Sequence, residues 1–239
     1  MELRVQHGRF TSPLAGPHKG RGRTECAARP CIQKQATRHR GALPRITQQC
    51  AIRATKIAMR QALKLHPDSV CLATTDIAVD VAHPRAGSLV LYYFVTGKIN
   101  DLRIPPVIPG GHADELWRHT CFEAFIRGSQ DEGYHEFNFA PSTQWGAYRF
   151  SSYRSGMRVA TEISAPRIEV QSDAGLYTLQ ASLDLDRASS LRRDAVWRLG
   201  LSAVLEETSG RKSYWALAHP PGKPDFHHSV CFAHEISAA

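Results

Sequence analysis

Two acidic side chains, Glu123 and Glu136, sit on neighbouring apolar stretches, TCFEAFI (Thr120 to Ile126) and YHEFNFAPS (Tyr134 to Ser142), joined by a turn through Gly128 to Gly133. In a hairpin centred near Ser129 and Gln130, Glu123 faces Glu136 and Cys121 faces Asn138. Phe122, Ala124 and Ile126 then share the opposite face with His135, Phe137 and Phe139. Facing carboxylates repel, so this pair calls for a cation, a shared proton or a basic neighbour. Three readings follow. One is a salt bridge to Arg149, which the next strand brings into reach in one of its two registers. Another is a polar floor on which Glu123, Glu136 and Asn138 meet a sugar's hydroxyls. The third is a catalytic or metal-binding dyad.

A second group of polar residues lies in YWALAHPPGKPDFHH (Tyr214 to His228). Alternation from Ser213 to His219 places Ser213, Trp215, Leu217 and His219 on one face of a strand and Tyr214, Ala216 and Ala218 on the other. Pro220, Pro221 and Pro224 then remove ladder donors and fix φ, so the loop has few conformations to lose on meeting a ligand. Lys223, Asp225, His227 and His228 are left on its rim. Either they line a binding site or they are the solvated part of a strand connection.

Flat rings supply the apolar half of such a site. Trp117, Trp145, Tyr148, Trp215 and Phe226 fall at strand ends or beside loops, where they can stack on a sugar face while carboxylates and amides take its hydroxyls. Trp197 and Tyr214 are expected in the core. The expected ligand contacts are therefore Trp117, Glu123, Glu136, Asn138, Trp145, Arg149, Trp215, His219, Lys223, Asp225 and His227. His119, His135, His219, His227 and His228 could ligate a metal, but no HExxH or similar spacing supports it, and no nucleophile pairs with a base by spacing. The expectation is a non-catalytic binding module without a metal.

The elements that must hold these groups are strands. Val79 and Val81 alternate with Asp80, and LVLYYFVT (Leu89 to Thr96) has the β-branched and aromatic content of a central strand. Further strands are expected at Arg118 to Ile126, Tyr134 to Ala140, Gly146 to Tyr153, Val159 to Ile163, Ile168 to Gln171, Leu176 to Leu183, Trp197 to Glu206, Ser213 to His219 and Val230 to Ile236. Turn residues separate them, so the fold expected is all-β, an antiparallel β-sandwich of jelly-roll or immunoglobulin-like type. One helix is expected, Asp186 to Arg193, capped by Asp186. A weaker helical pattern spans Ala51 to Leu65.

Charge divides the chain in two. Of the 239 residues, 1 to 58 carry 12 Lys and Arg against 2 acids, and 59 to 239 carry 18 against 20. The basic balance belongs to the first part, which lacks large apolar residues in any period and is expected to be a disordered tail. The domain, 59 to 239, is near neutral and is not expected to bind nucleic acid. The tail reads as a basic arm, an organelle transit peptide, or sequence upstream of a true start at Met59. The last is preferred, because Met59 immediately precedes the first structured pattern. No secretory apolar core and no stretch of membrane-spanning length is present, and Cys71, Cys121 and Cys231 are isolated while Cys26, Cys31 and Cys50 lack zinc spacing. Free thiols in a reducing cytoplasm are expected.

Three blocks, LWRHTCFEAFI (Leu116 to Ile126), YHEFNFAPSTQWGAYRFSSYRSGM (Tyr134 to Met157) and SYWALAHPPGKPDFHHSVCF (Ser213 to Phe232), resemble bacterial DOMON-like domains. Some of these are attached to UDP-N-acetylenolpyruvoylglucosamine reductase. The resemblance covers Met59 to Ala239 and extends to family 9 carbohydrate-binding modules and haem-binding DOMON domains. It implies a β-sandwich that holds a saccharide or amino-sugar-containing ligand, or one that serves as the protein-interaction domain of a partner cell-wall enzyme. The alternative it implies is a haem electron-transfer module, with Met157 and His135 or His219 as axial ligands. It assigns no ligand residues.

Overall fold

The computed structural model describes residues 59–237. Twelve strands follow one another: β1 (Met59–Leu65), β2 (Thr74–Ala82), β3 (Ser88–Gly97), β4 (Cys121–Gly128), β5 (Tyr134–Phe139), β6 (Trp145–Phe150), β7 (Arg158–Val159), β8 (Arg167–Ser172), β9 (Leu176–Asp184), β10 (Trp197–Glu206), β11 (Lys212–Ala216) and β12 (His234–Ile236). All pairings are antiparallel, in the order β7-β6-β5-β4-β10-β11-β1-β2-β3-β9-β8, with β12 beside the start of β10. The chain is therefore all-β, as its alternating patterns require.

The two layers share β1. Its Met59 to Leu63 pair with Val81 to Ile77 of β2, and its Lys64 and Leu65 pair with Ala216 and Trp215 of β11. One strand thus turns the corner between β2-β3-β9-β8 and the layer that runs from β11 to β7. This corrects the helical pattern over Ala51 to Leu65: Met59 onward is strand, with Leu63 buried and Met59 49% exposed. Residues 51–58 lie outside the described residues, as does the rest of the expected tail.

Between the layers lies one apolar core. From the β4 layer come Phe122, Ala124, Ile126, Phe137, Phe139, Leu199, Leu201 and Trp215; from the other come Ile77, Val79, Leu89, Leu91, Tyr93 and Leu179. The period of two that put Phe122 and Phe137 on one face put Glu123 and Glu136 on the other. That second face is covered as well. Phe125, Tyr134, Tyr148, Phe150, Val204 and Ala216 form a separate apolar cluster with Phe226 and Phe232, which come from the segment after β11. Gly200 allows this cover: a Cβ there would lie 3.2 Å from the Cys231 carbonyl oxygen.

The helix expected at Asp186 to Arg193 is absent. Its residues form successive hydrogen-bonded turns, in which Ala188 N–H donates to the Leu185 carbonyl and Leu191 N–H to the Ala188 carbonyl. Leu185, Ala188 and Leu191 are buried by these turns, and Asp186 bonds Arg85 and Arg193 instead of capping. Core burial at every third residue satisfies the apolar pattern without helical continuity. The strands expected to reach His219 and to start at Val230 are also shorter. β11 stops at Ala216 before the prolines, and Ser229–Cys231 is a 3-10 turn that precedes β12.

Trp215 is 5% exposed, sits in the inter-layer core and donates its ring N–H to Ser213 Oγ at 3.0 Å. Trp215→Ala is expected to cost about 3–5 kcal/mol of unfolding free energy, read from urea denaturation.

Candidate ligand cavity on the second face of the β4 layer

The hairpin β4-β5 pairs Glu123 with Asn138 and Glu136 with Phe125, not the two acids with each other. The strand register centres the hairpin between Gln130 and Asp131, one residue on from the expected Ser129–Gln130, which moves the register by two. A two-residue shift keeps every side chain on its face, so the acids remain diagonal neighbours there. Both line a cavity of about 520 Å³ that opens over β4, β5, β10 and β11.

The floor of this cavity is acidic and nearly sealed. Glu123 is 2% exposed, Glu136 5% and Asn138 0%. Asn138 Nδ2 donates to Glu136 Oε1 at 2.8 Å, and Ser202 Oγ donates to Glu123 Oε2 at 3.3 Å. Glu123 Oε1 is buried and has no hydrogen-bond partner. Burial raises the Glu123 carboxyl well above its ordinary range, the Glu136 charge beside it adds to this, and the Ser202 bond opposes it. Burial likewise pushes Glu136 up to about 7, against the Asn138 bond and the Arg154 charge. Two acids this close and this dry cannot both hold a charge at low cost.

The walls are aromatic and the rim is basic. Trp117, in a 3-10 turn just before β4, packs edge-on against Tyr148 at 5.8 Å, and the Tyr148 hydroxyl donates to Asp114 at 2.7 Å. Tyr214 and Phe226 form the facing side. Arg118 pairs with Glu115 at 2.6 Å, and Lys212 Nζ donates to the Arg118 carbonyl. Arg154 pairs with Asp225 at 2.7 Å while the Tyr153 hydroxyl donates to the other Asp225 oxygen at 2.5 Å. This double contact ties the loop after β6 to the proline-rich loop.

His227 links loop and floor. The Arg154 amide donates to the Tyr134 hydroxyl at 3.1 Å, and that hydroxyl lies 2.8 Å from His227 Nδ1. With the hydroxyl donating onward, the ring proton falls on Nε2, which is 3.8 Å from Glu136 Oε2, beyond hydrogen-bond length. Burial first, then the Arg154 charge, lowers His227 to about 4, against the Asp225 charge. The ring is neutral, so its approach to Glu136 is not an ion pair.

Of the residues expected at the site, Trp117, Glu123, Glu136 and His227 line the cavity, Asn138 holds Glu136, and Asp225 holds its rim. The others lie elsewhere. Arg149 pairs with His135 across β5-β6, one residue out of phase with the acids, and turns toward Gly133, where its guanidinium occupies the space of a Cβ and donates to the Phe150 carbonyl at 2.7 Å. The salt bridge expected from Arg149 to the acids is therefore not made; Arg154 is the cation that acts on Glu136. Trp145 packs on the inter-layer core and against His112, Trp215 lies within that core, and Lys223 is exposed away from the cavity. His219 donates through Nε2 to the Lys64 carbonyl at 2.8 Å. Met157 lines the cavity, and His135 and His219 are not among its lining residues. Sequence reasoning missed Arg118, Arg154, Lys212 and Ser202, and it assigned Tyr214 to the core although its parity opposite Trp215 marks it for this face. Among the described residues no helix is long and apolar enough to cross a membrane, and Cys71, Cys121 and Cys231 are free.

Fold and site together define an antiparallel β-sandwich with a ligand-sized cavity on the second face of one layer. No family model matches the chain, and no curated protein matches it. Among solved structures it is similar to a protein from Bacteroides uniformis provisionally described as carbohydrate-binding, with a TM-score of 0.55 and 13% identity over 73% of this chain and 84% of that one. It is also similar to a family 9 carbohydrate-binding module from Caldicellulosiruptor kristjanssonii. The complex with cellotriose gives a TM-score of 0.39 and 9% identity over 69% and 75% of the two chains; the complex with glucose gives 0.36 and 11% over 67% and 76%. At 13% identity the likeness to the Bacteroides uniformis protein is one of fold alone.

The Glu136 carboxyl holds its proton more tightly in the folded chain, so its contribution to stability is full below its ordinary value of 4.5 and is lost as pH rises toward 7. Glu136→Gln removes this loss. Relative to the parent, the variant is expected to gain on the order of 3 kcal/mol between about pH 4.5 and pH 7.5, read from urea unfolding at the two pH values.

Proposed function

We propose that the cavity over β4, β5, β10 and β11 binds a saccharide or an amino-sugar-containing ligand, and that the domain binds it without transforming it. The observation that carries this reading is Glu123 Oε1, a buried acceptor without a partner on the floor of an aromatic-walled cavity of about 520 Å³. An unmet acceptor in such a place is completed by a donor from a ligand. A sugar ring offers several donors on its edges and an apolar face for Trp117 or Tyr214. The three sequence blocks similar to bacterial DOMON-like domains support the same reading, since they contain Trp117, Glu123, Glu136, Tyr214 and His227. So does the carbohydrate-binding description of the Bacteroides uniformis protein that shares the fold.

The binding reading is preferred over a reaction because the thiol nearest the floor is inert. Cys121 is fully buried, and burial together with the Glu123 charge raises it well above its ordinary range.

Thermal melting against neutral sugars, amino sugars and their oligomers tests the proposal. A ligand at a hundredfold excess over its Kd is expected to add about 2.7 kcal/mol of stability. Trp117→Ala is expected to weaken that ligand about tenfold through lost stacking. A panel that leaves the melting midpoint unmoved would overturn the assignment.

A further inference from the structure

We propose that the group the cavity floor receives is a protonated amine of the ligand, and that its arrival drives a proton off the Glu123 and Glu136 pair. This rests on the saccharide reading and narrows it to sugars with a free amino group, as against neutral or N-acylated ones.

The argument begins with the two oxygens that the protein leaves open. Glu123 Oε2 is met by Ser202 and Glu136 Oε1 by Asn138. Glu123 Oε1 has no partner, and the group nearest Glu136 Oε2, His227 Nε2, is 3.8 Å away. Every cation at the rim is engaged elsewhere: Arg154 by Asp225, Arg118 by Glu115, and Lys212 by the Arg118 carbonyl. Among the described residues, then, no cation forms an ion pair with either acid. A hydroxyl brings no charge, so with it one acid must keep its proton. An ammonium brings a charge and three donors, enough for both open oxygens.

Every other titratable or charged group that faces the pair is unfit to take this part. Cys121 on β4 stays a thiol, and Tyr148 on β6 and Tyr134 on β5 are raised by burial and stay phenols. Tyr93 reaches from β3 and donates to the Glu123 carbonyl, not its carboxylate, and is raised likewise. His227 is neutral, and Asp225 on the same loop is held low and ionised by its Tyr153 and Arg154 bonds against its own burial. The proton that leaves therefore comes from the acid pair, whose Glu136 titrates at about 7 in the free protein. The balance is simple: one ammonium enters, one carboxyl O–H breaks, and the proton goes to buffer.

Isothermal calorimetry of the full chain with glucosamine, N-acetylglucosamine and glucose decides the matter. At about pH 6 a primary amine already carries its proton, so any proton released comes from the protein. Glucosamine is expected to bind at least about tenfold tighter than the other two, with a heat that differs between buffers of unlike ionisation enthalpy and reports nearly one proton released. Its affinity should climb up to about tenfold per pH unit between about pH 5 and 6.5, as one-proton linkage requires. The double variant Glu123→Gln with Glu136→Gln, which keeps the shape and removes both carboxyls of the pair, should abolish the buffer dependence; its melting curve confirms that it folds. Equal affinities for the three sugars with no buffer dependence would remove the amine and leave the saccharide site standing. Binding of none of them would remove both.

Discussion

The covering of the β4 layer on both faces is the constraint from which the rest follows. A sheet in a two-layer sandwich ordinarily keeps one face in the core and leaves the other to water. Here the second face of β4, β5, β10 and β11 carries Phe125, Tyr134, Phe150 and Val204 as well as polar residues, and the segment after β11 folds over it with Phe226 and Phe232. Because the cover is incomplete, part of that face is core and part is cavity. Glu123, Glu136 and Asn138 are trapped at the boundary. They are buried as deeply as core residues, yet two of the acid oxygens have no protein partner within bonding distance. The raised pKa values of the two acids follow first from that burial, and at Glu123 the Glu136 charge adds to it.

What holds the cover in place is polar. Asp225 accepts from both Tyr153 and Arg154, and it also accepts from its own loop at His227 N–H, at 3.2 Å. Exposed ion pairs contribute little, but a carboxylate that gathers a guanidinium, a phenol and an amide fixes geometry even where it adds modest energy. The prolines at 220, 221 and 224 do the same from the side of chain entropy, since they narrow the loop's alternatives before it docks. The Tyr134 hydroxyl then fixes the His227 ring, and with it the side of the floor where Glu136 lies. The rim is thus organised by residues that spend their charge on one another. This is why so basic a rim leaves an acidic floor uncompensated.

Face assignments were legible in the sequence, and partner assignments were not. Alternation alone put Glu123, Glu136 and Asn138 together and separated them from Phe122 and Phe137, because a period of two survives any even error in register. The whole connection between β4 and β5 decides who faces whom, and no pattern in the strands reports how many residues it takes up. Arg149 shows the cost of an odd step: one residue out of phase, it belongs to His135 and Gly133 and never sees the acids. Arg154, five residues on, lines the same cavity and its charge acts on Glu136, because the chain leaves the sheet and turns back, which periodicity cannot follow. Trp215 misled for another reason. A tryptophan beside a proline-rich loop reads as a ligand platform, but its phase matches Leu217, and the layer behind it needed filling.

The fate of two histidines, the buried His135 and the half-buried His227, shows how the same residue type is turned to different ends by which face it occupies. His135 is 0% exposed on the inner face, where burial and the Arg149 charge lower it to about 4, and its nearest acid, Glu162, is 3.6 Å away and already committed to Arg158. It is a polar ring stacked on Phe137, held neutral by surroundings that offer no good partner. His227 is also lowered to about 4, yet it accepts from Tyr134 and directs its remaining proton at the cavity floor. Equal acidity therefore does not mean equal role. A neutral donor at the edge of an acidic cavity can donate to whatever enters it, whereas a neutral ring inside the sandwich can only be packed. The difference lies in the cover over the β4 layer, which buries His227 against solvent without closing it off from the cavity.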